Sequence, residues 1–141
     1  MRSNRPRILI VDDEPDILLM LRVNLEAEGY STLLASDGET ALRRIAEERP
    51  DVVLLDVMMP VVDGWGVLER LGTMNPRPRV ILLTAKSSDR DLGKARELGA
   101  DEYVTKPFDP DLLLRKIDSM VRYRGGERDR SPIQPVYLAE D

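Results

Sequence analysis

Arg7-Ile8-Leu9-Ile10-Val11-Asp12-Asp13-Glu14-Pro15 decides what kind of sheet this chain can build. A short, unbroken apolar run rich in β-branched residues reads as a strand buried on both faces, the pattern of a parallel sheet. Two aspartates stop it. An acid followed by proline then starts a helix, because proline suits the first helical turn and acids favour the positive end of the helix dipole. From Asp16 to Glu28 the apolar Ile17, Leu18, Leu21 and Leu25 share one helical face, and Gly29 closes the segment.

The cycle recurs along the chain. Tyr30 to Ala35 reads as a strand, and Asp37-Gly38 turns into a helix that ends near Glu48 before Pro50. Asp51 to Leu55 is a buried strand stopped by Asp56. A loop from Val57 to Asp63 leads to a helix from about Gly64 to Met74. Arg79 to Leu83 is a fourth strand, stopped by Thr84, and Asp89 to Leu98 is a helix capped by Gly99. Asp101 to Thr105 reads as a weaker edge strand. Asp109-Pro110 starts a last helix running to about Tyr123. Five strands alternate with five helices. Connections this short demand right-handed crossovers, hence an α/β, doubly wound, five-stranded parallel sheet with helices on both faces. The domain spans 1–124. Beyond Gly125-Gly126, residues 125–141 are charged, contain proline and show no period, so they read as a flexible tail or the start of a linker.

Composition narrows the chemistry. The 141 residues carry 21 Lys+Arg against 26 Asp+Glu, a net charge of −5, and 42% are hydrophobic, enough for one packed domain. Cysteine and histidine are both absent. That removes disulfides, Cys/His zinc sites, Ser-His-Asp triads and a phosphohistidine on this chain. The acidic balance argues against direct nucleic-acid binding by this segment. No apolar run approaches the about 20 residues of a membrane span. The run Ile8 to Val11 is too short for a signal-peptide core, so a cytoplasmic address is the default.

The functional signal lies where the apolar strands stop. The first ends at Asp12-Asp13, the third at Asp56 and the fourth at Thr84, while Lys106-Pro107 follows the fifth. In an open parallel sheet, sites form beyond the carboxyl ends of the strands. Three carboxylates gathered there repel one another, and a divalent cation relieves this. Mg²⁺, which takes oxygen ligands and phosphate, fits best. Each residue also has an ordinary structural explanation. Asp12 or Asp13 could cap the first helix, and Thr84 the fourth. Asp56 could be a loop acid, Lys106 a solvated amine along the sheet edge, and Pro107 a helix-start residue.

Together the motifs resemble the receiver domain of two-component response regulators, of the chemotaxis-receiver type. The matching segments are Ile8 to Glu14, Asp51 to Pro60, Asp63-Gly64, Leu82 to Ala85 and Gly99 to Phe108. The resemblance implies a flavodoxin-like sheet of order 2-1-3-4-5 and assigns roles. Asp56 corresponds to the phosphoacceptor. Asp12, Asp13, Asp56 and the backbone carbonyl of Met58 correspond to the Mg²⁺ site, with Asp12 acting partly through water. Lys106 corresponds to the lysine that pairs with a phosphoryl oxygen, and Thr84 and Tyr103 to the switch pair. The Lys106-Pro107 bond is expected to be cis. Tyr103 alone also reads as a half-buried edge-strand aromatic.

The implied donor is a sensor histidine kinase or a histidine phosphotransfer protein. Intrinsic phosphorylation and slow dephosphorylation are expected, rather than conventional enzyme turnover. Met58 and Lys86 stand at the positions that tune hydrolysis in this family, and a thioether there implies a long-lived phosphoryl group. Lys94, Arg96, Asp101, Glu102, Arg115 and Arg122 fall on the face made by the fourth helix, fifth strand and fifth helix, where they suit either a phosphorylation-dependent homodimer or a solvated surface. Arg122, Arg124, Arg128 and Arg130 fit a linker to an effector. Two other readings compete. A Mg²⁺-dependent phosphohydrolase would usually place its nucleophile after the first strand. A flavodoxin-like cofactor binder would want a Gly/Ser/Thr-rich loop there, where acids stand instead.

Overall fold

β1 (Arg7–Val11) lies in the interior of a parallel sheet, between β2 (Ser31–Ala35) on one side and β3 (Val52–Leu55) on the other. β4 (Arg79–Thr84) and β5 (Glu102–Thr105) extend the sheet beyond β3. The computed structural model describes residues 5–59, 62–85 and 88–122, together with the backbone of 135–136. Pro60, Lys86, Tyr123, Arg124, Arg128 and Arg130 lie outside these residues, as does the expected tail apart from 135–136.

The five strands follow the order 2-1-3-4-5. One element was not foreseen: β6 (Pro135–Val136) pairs in parallel with Tyr103 and Val104 of β5. The fifth strand therefore does not form the sheet's edge. Two residues beginning with proline carry no periodic signal, and such a strand is defined by the backbone it finds.

The helices are α1 (Pro15–Ala27), α2 (Gly38–Glu48), α3 (Gly64–Leu71), α4 (Asp89–Glu97) and α5 (Pro110–Arg122). Alternation within each strand sorts its side chains into two cores. Leu9, Val11, Val53, Leu55, Val80, Leu82 and Tyr103 face Ala41, Ile45, Leu68 and Ala95, the side of α2, α3 and α4. Ile8, Ile10, Leu54, Ile81, Leu83 and Val104 face Leu21, Leu25, Leu113 and Ile117, the side of α1 and α5. Both faces are covered, which explains why the strand sequences are continuously apolar. α3 stops at Leu71, short of Met74, and a turn at Gly72-Thr73 follows.

Local capping removes several ordinary explanations for the polar residues. Glu14 is the N-cap of α1, with Pro15 after it, so neither Asp12 nor Asp13 fills that place. The N-cap of α4 is Ser88, whose hydroxyl accepts from the Asp91 N–H at 3.1 Å, so Thr84 is released from capping. Among the described residues, no helix is long and apolar enough to cross a membrane.

Candidate phosphoacceptor site

Asp12 follows β1 directly, and Asp56 follows β3. Because β1 and β3 are in-register neighbours, with Val11 opposite Leu55, the two carboxylates leave the sheet side by side. Backbone bonds fix this arrangement: the Asp56 N–H donates to the Val11 carbonyl at 3.0 Å, and the Asp12 N–H to the Ala35 carbonyl at 3.1 Å. Asp12 is 1% exposed and Asp56 4%, while Asp13 is exposed at the rim. One carboxylate oxygen from each of Asp12, Asp13 and Asp56 falls within 4.8 Å of the others. This all-oxygen set suits a hard cation.

Lys106 reaches the same point from the end of β5, where its own N–H donates to the Thr84 carbonyl at 2.8 Å. Its ammonium donates to Asp12 Oδ2 at 2.7 Å and to Asp56 Oδ2 at 3.2 Å, and Glu14 Oε1 stands 3.6 Å away. Lys106 is thus no solvated edge amine. The Lys106-Pro107 peptide is cis, as expected. The remaining carboxylate oxygens hold the adjoining backbone: Asp12 Oδ1 accepts from the Glu14 N–H at 2.9 Å, and Asp56 Oδ1 from the Met58 N–H at 3.0 Å. The Met58 side chain is exposed.

Burial pushes the Asp56 carboxyl above the ordinary carboxylate range, and the Asp12 charge adds to the rise. The Met58 N–H and the Lys106 ammonium oppose this without cancelling it. For Lys106, burial works against the charged form. The bond to Asp12 and the charges of Asp12 and Asp56 outweigh burial and hold the ammonium above the usual lysine value.

Thr84 ends β4 and is fully buried, in register with Thr105; Tyr103 stands opposite Leu82. Positions two apart along a strand share a face, so Thr84 and Tyr103 lie on the same side of adjacent strands. Tyr103 is 0% exposed rather than half-buried, because its ring belongs to the core beneath α4. Two contributors enter the sequence reading only as members of matching segments, with no role assigned. Glu14 adds a further carboxylate to the Lys106 cluster, which the acid run after β1 could have signalled. At Gly64, a Cβ would collide with the Asp56 carbonyl oxygen and the Val57 Cα, so α3 can start this close to Asp56 only from a glycine. The Asp63-Gly64 pair was the available clue.

Residues 8–118 match the family model of the response regulator receiver domain. The chain belongs to that family. Among relatives, this receiver is 42% identical over 116 residues to the alkaline phosphatase synthesis transcriptional regulatory protein PhoP of Bacillus subtilis, covering 82% of the chain and 48% of PhoP. It is 45% identical over 115 residues to the transcriptional regulatory protein KdpE of Mycobacterium tuberculosis, covering 82% and 50%. The chain spans about half the length of the curated relatives it matches. Among solved structures, a CheY-like receiver domain protein from Methanospirillum hungatei superposes with a TM-score of 0.81 at 33% identity, covering 84% of this receiver and 95% of that chain. The BeF3-activated DrrB receiver domain gives 0.77 at 36% identity, covering 84% and 98%.

Proposed function

We propose that Asp56 accepts a phosphoryl group from a phosphohistidine on a sensor histidine kinase or a histidine phosphotransfer protein. The observation that carries this reading is the buried Asp56 carboxylate, bonded to the Lys106 ammonium and crowded by Asp12 and Asp13. An Asp56 oxygen attacks phosphorus, the phosphorus–nitrogen bond breaks, and the imidazole leaves with the bonding pair. Asp12, Asp13, Asp56 and the Met58 carbonyl would hold Mg²⁺, which supplies charge neutralisation between the acids and the incoming phosphoryl oxygens. Lys106 turns from the acids toward a phosphoryl oxygen, and its point charge suits that partner. Hydrolysis reverses the state: water attacks phosphorus, the acyl phosphate bond breaks, and Asp56 returns as a carboxylate.

Thr84 then donates its hydroxyl to the phosphoryl group, and the Tyr103 ring fills the space on the same face. Because the ring is already buried, phosphorylation holds it inward rather than drawing it from solvent. Output through α4, β5 and α5 to a second copy is part of the same proposal. Several charges on that face already have partners within the chain. Glu102 pairs with Lys116 at 3.1 Å, Asp101 accepts from the Val80 N–H, and Lys94 lies over Trp65. Arg115 and Arg122 are exposed there. A cytoplasmic setting suits an acid-rich, cysteine-free receiver of this kind.

Beryllofluoride with Mg²⁺ tests the assignment. The expected result is a thermal upshift that Asp56→Asn abolishes. Steady turnover of free phosphate esters would instead favour a phosphohydrolase, and an upshift that survives Asp56→Asn would overturn the acceptor assignment.

A further inference from the structure

The chain has no cysteine, so its thioethers are its most readily oxidised sulfur. They are unequally placed. Met59 and Met120 are each 8% exposed, whereas Met58 is 54% exposed and its own N–H is bonded to the acceptor carboxylate. Met20, at 37%, is the other exposed methionine among the described residues, and it lies on α1.

We infer that Met58 is an oxidation site whose sulfoxide shortens the life of the phosphoryl group on Asp56. This rests on the acceptor assignment above. The step balances simply: a peroxide transfers one oxygen to the thioether sulfur, the oxygen–oxygen bond breaks, and water or an alcohol leaves. The product replaces an apolar sulfur with a strong hydrogen-bond acceptor on a side chain of nearly the same shape. A thioether is a weak acceptor and orders an attacking water poorly. A sulfoxide oxygen two positions from the acceptor gives that water a fixed partner, and positioning of this kind accelerates attack. Met59, one residue further on, is packed into the core and protected from the oxidant.

The test uses the full chain, limited hydrogen peroxide and acetyl phosphate as the phosphoryl donor. Peptide mass spectrometry ranks the methionines by rate of oxygen gain, and intact mass follows decay of the acyl phosphate. Met58 is expected to oxidise well before Met59 and Met120. Decay is expected to accelerate about tenfold, equivalent to about 1.4 kcal/mol of barrier. In Met58→Leu, peroxide should leave that variant's own decay rate unchanged. Met58→Gln, with a polar end at similar reach, should decay faster than Met58→Leu without oxidant.

Met58 oxidising no faster than Met59 would overturn the proposal. So would an unchanged decay rate in oxidised wild type, or an equal acceleration in Met58→Leu, which would point to another methionine. If the unoxidised chain forms no acyl phosphate, or forms it equally in Asp56→Asn, the acceptor assignment itself fails and this inference falls with it. The oxidation ranking distinguishes the two failures, since it is measured without any phosphoryl group.

Discussion

The two ends of the sheet are both polar, yet they treat charge in opposite ways. At the amino ends of the strands, acids serve the backbone. Asp51 Oδ2 accepts the Arg7 N–H at 2.8 Å, and Asp101 Oδ2 accepts the Val80 N–H at 2.8 Å. The Arg7 guanidinium lies against the Glu48 carbonyl and carboxylate, at 2.7 and 3.3 Å. Each of these three side chains meets a backbone donor or an opposite charge close by. At the carboxyl ends, Asp12, Asp56 and Glu14 all converge on one ammonium, with Asp13 beside them. The first arrangement pairs its acids with backbone donors. The second carries an excess of negative charge in a partly buried place, a cost to folding that a bound cation would relieve.

The largest expected effect separates the two ends through one matched pair of substitutions. Asp56→Asn should abolish acyl phosphate formation and yet raise thermal stability by a few degrees at neutral pH. The sign follows from the raised Asp56 pKa. The folded chain binds this proton more tightly than the unfolded chain, so stability falls as pH rises through the interval between the two values and stays lowered above it. Asparagine removes that cost, and its advantage should vanish below the ordinary carboxylate range. Asp51→Asn should do the reverse, lowering the melting temperature while leaving phosphorylation intact. Loss of phosphorylation in Asp51→Asn, measured by intact mass with acetyl phosphate, would break the contrast.

Lys106→Met comes next. It leaves Asp12 and Asp56 buried without their counter-charge, a change that costs about 3 kcal/mol at neutral pH. Wild type keeps this contribution until pH rises beyond the usual lysine value, because the ammonium is held above it. A dication can stand in for the missing charge. The Mg²⁺-induced rise in melting temperature should therefore be larger in Lys106→Met than in wild type, and differential scanning fluorimetry with and without a chelator reads it directly. An equal or smaller rise would mean that the acids do not form the cation site.

Asp13→Asn is a gentler probe of the same end. Asp13 is exposed, so its loss should scarcely change the melting temperature in chelator. It should nonetheless weaken the Mg²⁺ response. A ligand at a hundred times its dissociation constant stabilises by about 2.7 kcal/mol, so a tenfold weaker site would lose about half of that. A strong loss of stability without Mg²⁺ would make Asp13 a structural acid, like those at the other end.

How much of this was visible in the sequence depends on the range of the interaction. Ile8 to Val11 and Val52 to Leu55 announced themselves because burial on both faces leaves a continuous apolar run. The stopping points of those runs placed Asp12, Asp56 and Thr84 at one rim, since a parallel sheet aligns its strand ends. The three-way grip of Lys106 was not readable, because it joins residues as much as 94 positions apart through side-chain geometry. Tyr103 reads as half-buried on an edge strand, whereas its ring packs into the core beneath α4, a long-range contact that composition does not carry. β6 escaped for the same reason: two residues have no pattern, only a neighbour.

A charge belonging to neither end calibrates the contrast, and its effect should be the smallest. Lys94 on α4 holds its ammonium 4.7 Å from the centre of the Trp65 ring. α4 buries Ala95 and packs Leu92 partly against the same core, so the Lys94 contact adds to an attachment that is mainly apolar. An exposed cation–π pair is worth about 0.5–1 kcal/mol. Lys94→Met should cost no more than that, shift the emission of Trp65, the only tryptophan, and leave acyl phosphate formation at its wild-type rate. The substitution removes a charge and keeps a long apolar side chain, so the emission shift reports the lost ammonium rather than a lost cover. A change in phosphorylation comparable to that of Lys106→Met would show that the acid pocket senses charge across the whole rim of the sheet. An unchanged rate would confine the sensitivity to side chains that touch Asp56.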